Sequence, residues 1–142
     1  MICLPDVNVW IALTVGKHVL HQAARRWFTN ATEQKLVFCR ITQTGFLRLL
    51  TNRHVMQEAV MTPDLAWKTY RTLRSDRRIG YLSEPGGLPE IWDTFTEGSR
   101  TSPNLWTDAY LCAFAHAARL TLVTFDAGIP ARERLNRLVL AR

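Results

Sequence analysis

The chain has 142 residues, 47% of them hydrophobic, and a formal net charge of +6 from 18 Lys and Arg against 12 Asp and Glu. This length fits a single domain, residues 1–142, and the hydrophobic fraction excludes a disordered chain. The surplus of positive charge favours a polyanionic partner such as nucleic acid or an acidic protein, although a basic surface can also serve solubility alone.

The cysteines and the apolar runs set further limits. Cys3, Cys39 and Cys112 are far apart and no Cys-x-x-Cys pair occurs, so reduced core cysteines are expected rather than a zinc site of that type. The longest apolar run, residues 109–115, is far shorter than the ~20 residues that a membrane helix needs. The N-terminus lacks a basic stretch followed by a long apolar run. We therefore expect a cytoplasmic protein with no membrane partner.

The first half of the chain alternates between strand and helix patterns. The predicted elements are a strand over residues 2–4, a helical turn or two over 7–13, a helix over 18–30, a strand over 35–38 and a helix capped by Thr42 that reaches about 52. Thr62, Pro63 and Asp64 then supply a cap, a proline at the first helical position and an acid. They start a helix that reaches about residue 75.

The second half continues the alternation. The predicted elements are a strand over residues 79–82, a helix over 88–97, a helix that begins at 102–104, a strand over 121–124 and an edge strand over 138–140. The helix after 104 is apolar nearly all the way round, which indicates burial on most sides. Such alternation predicts an α/β fold with helices on both faces of a mostly parallel sheet.

Three aspartates stand where packing alone gives no reason for a charge. Asp6 and Asp126 each follow an apolar strand, and Asp108 is the only acid in the buried helix. Ligand sites in parallel sheets lie beyond the carboxyl ends of the strands, so Asp6 and Asp126 are expected at that edge. The sequence does not decide whether Asp108 lies at the same edge, and Asp6 could serve only as a helix N-cap.

If the three aspartates converge, their chemistry is restricted. Neighbouring carboxylates repel one another unless they share protons or hold a cation. All-oxygen sites suit Mg²⁺ or Mn²⁺ rather than zinc, and the open positions of such an ion accept phosphate oxygens. Asn8 and Thr124 would orient these ligands or have ordinary turn and strand roles. Six arginines are candidates for phosphate contacts: Arg40, Arg48, Arg71, Arg74, Arg77 and Arg78.

Four segments in order resemble the PIN-domain nucleases, and within them the VapC-type toxins of bacterial toxin–antitoxin pairs. The segments are Leu-Pro-Asp6-Val-Asn8, the stretch from Cys39 to Asn52, Leu105-Trp-Thr-Asp108-Ala-Tyr-Leu, and Leu-Val-Thr-Phe-Asp126. The resemblance covers nearly the whole chain and implies a PIN-like three-layer α/β/α sandwich. It implies an endoribonuclease whose Mg²⁺ or Mn²⁺ is held by the three aspartates, with tRNA or another structured RNA as substrate. It also implies a homodimer and a VapB-type antitoxin whose tail blocks the site.

The chain departs from the family pattern at one position. Many members place a glutamate near Gln43, where this chain has a neutral amide. Weaker cation binding is therefore expected, and either Gln43 supports the ligands from behind or another acid compensates. The candidate acids are Glu84, Glu90 and Asp93. The alternative function is a degenerate PIN-like module that binds RNA or a protein partner without cleavage.

Other readings are weaker on the residues. A metal-independent ribonuclease would use two histidines as acid and base, yet no histidine follows a strand. A phosphatase with an aspartate nucleophile usually has a second carboxylate two residues later, where this chain has Asn8. A nucleotide-binding fold is disfavoured because no Gly-rich phosphate loop follows any strand. Four aromatic residues either pack in the core or line a groove for an antitoxin helix: Trp10, Trp27, Phe46 and Trp67.

Overall fold

The computed structural model describes residues 1–129 and 136–142. Its strands are β1 (Ile2–Pro5), β2 (Lys35–Phe38), β3 (Ile79–Tyr81), β4 (Thr121–Thr124) and β5 (Asn136–Val139). Its helices are α1 (Val7–Thr14), α2 (His21–Asn30), α3 (Arg40–Leu50), α4 (Arg53–Met56), α5 (Pro63–Arg74), α6 (Leu88–Thr96) and α7 (Leu105–Ala118). Each predicted element is found: β2 and β4 have the predicted ends, and the ends of the others differ by a few residues, whereas α4 and the 3₁₀ turn Gln57–Ala59 were not predicted.

The strands form one parallel sheet in the order β3-β2-β1-β4-β5. The chain builds outward from β1 through β2 to β3 and then returns to the other side of β1 with β4. Such a reversal between neighbouring strands opens a crevice at their carboxyl ends, where ligands bind in open α/β sheets. Pro5 belongs to the central strand, one residue beyond the predicted end. It is tolerated there because β2 pairs with β1 only through Ile2 and Cys3.

Helices cover both faces of the sheet, which confirms the three-layer α/β/α sandwich. On one face α1, α2, α3 and α5 surround Trp10, which stacks on Phe38 with ring centroids 4.0 Å apart. On the other face α6 and α7 pack against the sheet around Phe114 and Leu122. Successive strand residues contribute to opposite faces, as the alternation of side chains along a strand requires.

The direction of α7 decides a point that the sequence left open. The helix ends at Ala118 and the chain enters β4 at Thr121 after a short turn. The helix must therefore run antiparallel to the strand that it precedes, as in other crossover connections of parallel sheets. Its first turn, which carries Asp108, consequently lies at the carboxyl edge of the sheet.

The start of α3 corrects the predicted cap. Cys39 is the N-cap, and Thr42 occupies the third helical position instead of the cap. The hydroxyl oxygen of Thr42 accepts a hydrogen bond from the backbone N–H of Cys39 at 2.9 Å. The helix therefore begins at Arg40, two residues before the predicted cap, directly at the end of β2.

The aromatic residues are divided by their burial. Trp10 and Phe46 are fully buried, so the structure overturns the groove alternative for these two and assigns them to the core. Trp27 is partly buried against the same core. Trp67 is 43% exposed, and its outward position leaves it as the one member of the set with substantial free surface.

The cysteines and the helices agree with the limits drawn from composition. Cys3, Cys39 and Cys112 are buried and form no disulfide within the described ranges. Across residues 1–129 and 136–142, no helix is both long enough and apolar enough to cross a membrane.

Gly45 marks the closest approach of α3 to α1. A Cβ atom at this position would lie 2.8 Å from Cγ2 of Val7, which is shorter than an ordinary van der Waals contact. Because Val7 is β-branched and stiff at χ1, the two helices would have to separate. We expect Gly45→Ala to lower the free energy of unfolding by about 1–2 kcal/mol, the overpacking cost less the gain in helix propensity.

Denaturant unfolding would test the Gly45 prediction. Thr44→Ala is the matched control, since Thr44 precedes Gly45 on the same helix and is exposed. A Gly45→Ala variant more stable than the parent would show that Val7 yields to the added methyl group and that the contact between α1 and α3 is loose.

Candidate functional site

Asp6, Asp108 and Asp126 line one pocket of about 360 Å³ at the carboxyl edge of the sheet. Asp6 follows β1, Asp126 follows β4, and Asp108 comes from the first turns of α7. The first two meet because β1 and β4 are neighbours at the topological switch point. The third joins them because α7 runs antiparallel to the strands. The convergence that the sequence left open is thus present in the fold.

Asp6 caps α1 and also lines the pocket. One carboxylate oxygen accepts the backbone N–H of Val9 at 2.9 Å, which caps α1. The other accepts the hydroxyl proton of Thr124 at 2.5 Å. The residue is buried, with only 8% of its surface exposed, yet it still borders the pocket. Capping therefore orients the carboxylate and does not remove it from the site.

Thr124 connects two of the aspartates. It is fully buried, and its hydroxyl donates to Asp6 while accepting the backbone N–H of Asp126 at 2.9 Å. The Asp126 carboxylate in turn accepts the N–H of Gly128 at 2.8 Å. The orienting role considered for Thr124 therefore has a geometric basis, because one hydroxyl fixes Asp6 relative to the turn that carries Asp126.

The three aspartates interact electrostatically. The pKa of Asp108 is raised from 3.8 to about 6. Burial is the largest cause, and the negative charges of Asp126 and Asp6 add to it. Burial also raises the pKa of Asp6, against the lowering effect of its hydrogen bonds with Thr124, Val9 and Asn8. Each raised pKa reflects the free energy needed to keep a carboxylate charged in this buried, acidic pocket. A bound cation would offset that free energy.

The donor set fits a hard divalent cation, in an open site rather than a closed one. Among residues 1–129 and 136–142, no three His, Cys, Asp or Glu side chains are grouped closely enough to hold a metal ion together. The three aspartates instead border a pocket open to solvent. Magnesium in proteins keeps several waters and is held through one or two carboxylates, which this open arrangement can provide.

Gln43, considered as a support for the metal ligands, lies outside the pocket of the aspartates. Gln43 is buried, its side-chain oxygen accepts a hydrogen bond from Arg40 at 2.5 Å, and it does not line the pocket of the aspartates. The face of α3 that borders this pocket carries Thr44, Gly45 and Arg48 instead. The missing carboxylate therefore has no substitute in Gln43, which is bonded to Arg40 and lies outside the pocket lining.

The candidate compensating acids also lie elsewhere. The pocket lining includes no Glu84, Glu90 or Asp93 among the residues described. Glu84 accepts a hydrogen bond from the Tyr110 hydroxyl at 2.7 Å, and Asp93 is exposed on α6. None of the three lines the pocket, so the structure does not support the alternative in which one of them completes the carboxylate set.

The histidines give no support to a metal-independent ribonuclease. Within the described chain no histidine lines the pocket of the aspartates. His18 accepts the backbone N–H of Leu20, and His21 lies 2.7 Å from the carbonyl oxygen of Ala12. Both are thus engaged with backbone groups near α2, away from the strand ends.

The six arginines divide between two edges of the sheet. Arg40 follows β2 and Arg48 lines the pocket, so both lie at the edge of the aspartates. Arg77 and Arg78 immediately precede β3 and therefore lie at the opposite, amino edge, which the last turns of α5 with Arg71 and Arg74 approach. The sequence could not separate these groups because it does not show which end of a strand faces the site.

Arg78 is a structural residue, which corrects its place among the phosphate contacts. Its guanidinium pairs with Asp76 at 3.0 Å and donates to the carbonyl oxygens of Phe28 and Ala31. It also lies 3.8 Å above the ring of Phe28. These contacts occupy its donors, so Arg78 joins α2 to the turn before β3.

Several pocket residues were not predicted, and one prediction gains support. Asn8 lines the pocket and is exposed, so it can reach a ligand there. Thr44, Asn104 and Thr107 also line the pocket and were not singled out from the sequence. Asn104 and Thr107 lie within one turn of Asp108, a proximity in sequence that could have identified them.

The fold and the carboxylate pocket at the strand ends define a PIN-type protein. A family model described as the PIN domain matches residues 3–135, so the chain belongs to the PIN-domain family. A curated relative, Ribonuclease VapC41 of Mycobacterium tuberculosis, is 41% identical over 129 residues, which cover 87% of this chain and 88% of that protein. The resemblance to VapC-type proteins is thereby confirmed.

Solved structures share this fold. VapBC2 from Rickettsia felis, bound to a DNA fragment from its promoter, superposes with a TM-score of 0.73 at 11% identity and covers 99% of this chain and 100% of that chain. VapC20 of Mycobacterium tuberculosis, described as a Sarcin-Ricin loop cleaving toxin, gives a TM-score of 0.68 at 15% identity with coverage of 98% and 99%. At these identities the likeness establishes the architecture alone.

Proposed function

We propose that this protein is a metal-dependent endoribonuclease and the toxin of a toxin–antitoxin pair. The observation that carries the proposal is the meeting of Asp6, Asp108 and Asp126 in one pocket, with the pKa of Asp108 raised by burial and by the other two charges. Packing gives no reason to assemble carboxylates at such a cost. The relatives named as ribonucleases direct the proposal to RNA.

The cation proposed for this site is Mg²⁺, with Mn²⁺ as a substitute, held by Asp6, Asp108 and Asp126. Hard oxygen donors and an open pocket support this choice over zinc. Such an ion, when bound, supplies a hydroxide nucleophile and neutralises charge on the phosphate. The chain contributes the orientation: Thr124 fixes Asp6 relative to Asp126, and the capping of α1 holds Asp6 in place.

The proposed substrate is tRNA or another structured RNA, and the proposed partners are a VapB-type antitoxin and a second copy of this chain. The basic composition and the two arginines at the site edge, Arg40 and Arg48, support a polyanionic substrate. The antitoxin is supported by the solved VapBC complex that shares this fold. The homodimer rests on the resemblance to VapC-type toxins.

Cleavage of total RNA by the purified, antitoxin-free protein tests the proposal. We expect cuts with Mg²⁺ or Mn²⁺, no cuts with EDTA, and a loss on the order of 10²-fold or more for Asp126→Asn, because the ion then loses one of its ligands. Asp93→Asn is the matched control, since it removes the same charge from an exposed position on α6 that does not line the pocket.

The possible outcomes separate the proposal from its alternatives. Cleavage that survives EDTA would contradict a metal-dependent reaction. Absence of cleavage together with absence of Mn²⁺ binding by calorimetry would identify a degenerate module that binds RNA or protein without chemistry. In that case Asp126→Asn should leave RNA affinity unchanged or increase it, because it removes a negative charge from the pocket.

A further inference from the structure

The wall of the pocket formed by α3 carries a positively charged side chain and no carboxylate among its described residues. Thr44, Gly45 and Arg48 border the pocket from this helix, at spacings that place them on one face. Among the described lining residues, Arg48 is the only basic one and faces a pocket that holds three acids. The charge on this wall is therefore opposite to that of the aspartates.

The wall leaves little room for any other charged group on the same turn. A Cβ atom at Gly45 would already lie 2.8 Å from Val7, so a glutamate there would displace α1, the helix that Asp6 caps. Thr44 is short and uncharged. The next turn of α3 thus supplies the charge of this wall through Arg48.

Arg48 has free donors. Within residues 1–129 and 136–142, the one salt bridge joins Arg78 to Asp76, and the guanidinium of Arg48 has no hydrogen-bond partner. The charges that act on the pKa of Asp108 are those of Asp126 and Asp6, without a contribution from Arg48. The guanidinium therefore belongs to the pocket lining without pairing with the acids, and its five N–H groups remain available to a ligand.

We propose that Arg48 binds the phosphate group of the RNA that is cleaved. The pocket then holds the phosphate between the cation site of the three aspartates on one side and a guanidinium on the other. Arginine suits this task because its planar fork bonds two phosphate oxygens and never loses its charge. This inference rests on the proposed nuclease function and extends it to the contact that places the substrate.

The proposal predicts different effects on the metal and on the RNA. Arg48→Gln should weaken RNA binding, with a log–log salt dependence less steep by about 0.7 for a lost phosphate contact on a single strand. Cleavage of total tRNA should fall on the order of 10²-fold, as expected when a charge-stabilising donor is removed. Binding of Mn²⁺ in the absence of RNA should not weaken, because Arg48 is not a ligand of the cation and does not act on the pKa of Asp108.

The experiment compares Arg48→Gln, Arg48→Lys and the control Arg26→Gln. RNA binding is measured by fluorescence anisotropy with a labelled single-stranded oligonucleotide in EDTA, and Mn²⁺ binding by calorimetry without RNA. Lysine should retain the salt slope, since it keeps the charge, but only part of the cleavage, since it lacks the planar fork that bonds two phosphate oxygens. Arg26→Gln should leave tRNA cleavage and Mn²⁺ affinity unchanged, because Arg26 is exposed on α2 and does not line the pocket.

Two outcomes would overturn the proposal. Weaker Mn²⁺ binding together with weaker RNA binding in Arg48→Gln would show that the residue only supports the shape of the pocket. An unchanged salt slope with unchanged cleavage would show that the phosphate lies elsewhere. If the parent protein itself cut no RNA, the nuclease proposal would fail, yet the salt slopes and Mn²⁺ affinities would still decide the role of Arg48.

Discussion

Replacing Asp108 with asparagine is expected to abolish RNA cleavage and, at the same time, to stabilise the metal-free protein. Asp108 carries a pKa of about 6 because burial and the charges of Asp126 and Asp6 oppose its ionisation. At neutral pH the folded state bears that cost, which we place at about 1–2 kcal/mol after discounting for a half-buried carboxyl group. The neutral amide removes it. A gain in stability with a loss of activity is typical of residues retained for function.

Thermal unfolding in EDTA at pH 7.5 would measure the gain, and cleavage assays with Mg²⁺ would measure the loss. Added Mg²⁺ should raise the Tm of the parent protein and leave that of Asp108→Asn nearly unchanged, because only the parent keeps the full ligand set. Asp93→Asn, at an exposed position on α6, controls for the loss of one negative charge. An Asp108→Asn variant that cleaves like the parent would refute the assignment of the site.

The stability of the metal-free protein should also depend on pH in a defined direction. The pKa of Asp108 is raised in the folded state from 3.8 to about 6, so the folded state binds its proton more tightly than the unfolded state does. The contribution of this group is therefore fully present below pH 3.8 and is lost as the pH rises through about 6. In Asp108→Asn the denaturant midpoint should change less with pH over this interval than it does in the parent. An unaltered pH dependence would contradict the raised pKa.

Replacing Thr124 with valine is expected to damage both stability and activity. The hydroxyl of this buried residue donates to Asp6 and accepts the N–H of Asp126, and valine keeps the shape but provides neither bond. Leaving both partners unsatisfied in the interior should lower the free energy of unfolding by about 2–3 kcal/mol. Cleavage should fall roughly 10- to 100-fold, the usual effect of losing a group that orients metal ligands.

Thr124→Ser distinguishes the hydroxyl from the methyl group. Serine should restore most of the cleavage, since it keeps the donor and the acceptor, while losing some stability through the small cavity that it leaves. Thr121→Val at the start of the same strand controls for a change of threonine to valine away from the pocket. If Thr124→Val matched the parent in rate, the two aspartates would have to be positioned without the bridge.

The architecture was readable in the sequence because its signals are local. Residues 121–124 and 35–38 are short apolar runs and became β4 and β2 with the predicted bounds. Thr62, Pro63 and Asp64 specify a helix start by themselves, and the Thr62 hydroxyl accepts the N–H of Leu65 as a cap should. Cap, turn and periodicity depend on near neighbours in the chain, so no tertiary information was needed.

Errors arose where burial or direction depends on distant residues. Thr42 was taken as a cap, but the chain enters α3 directly from β2, which makes Cys39 the first flanking residue. Gln43 was considered as a support for the metal ligands because many members of the family have a glutamate near this position. A helix turns by about 100° per residue, however, so its neighbours Thr44 and Gly45 face the pocket while Gln43 faces Arg40.

The sequence by itself determined the α/β class, the apolar character of the helix around Asp108 and the candidate acids Asp6, Asp108 and Asp126. Only the tertiary structure decided that these acids share one pocket, since that required β4 to pair with β1 and α7 to run antiparallel to the strands. It also decided which arginines lie at the site, because Arg48 and Arg78 look alike in sequence but occupy different surroundings. Charge and hydrophobic pattern are properties of the chain, whereas proximity between residues a hundred positions apart is set by the order of strands in the sheet.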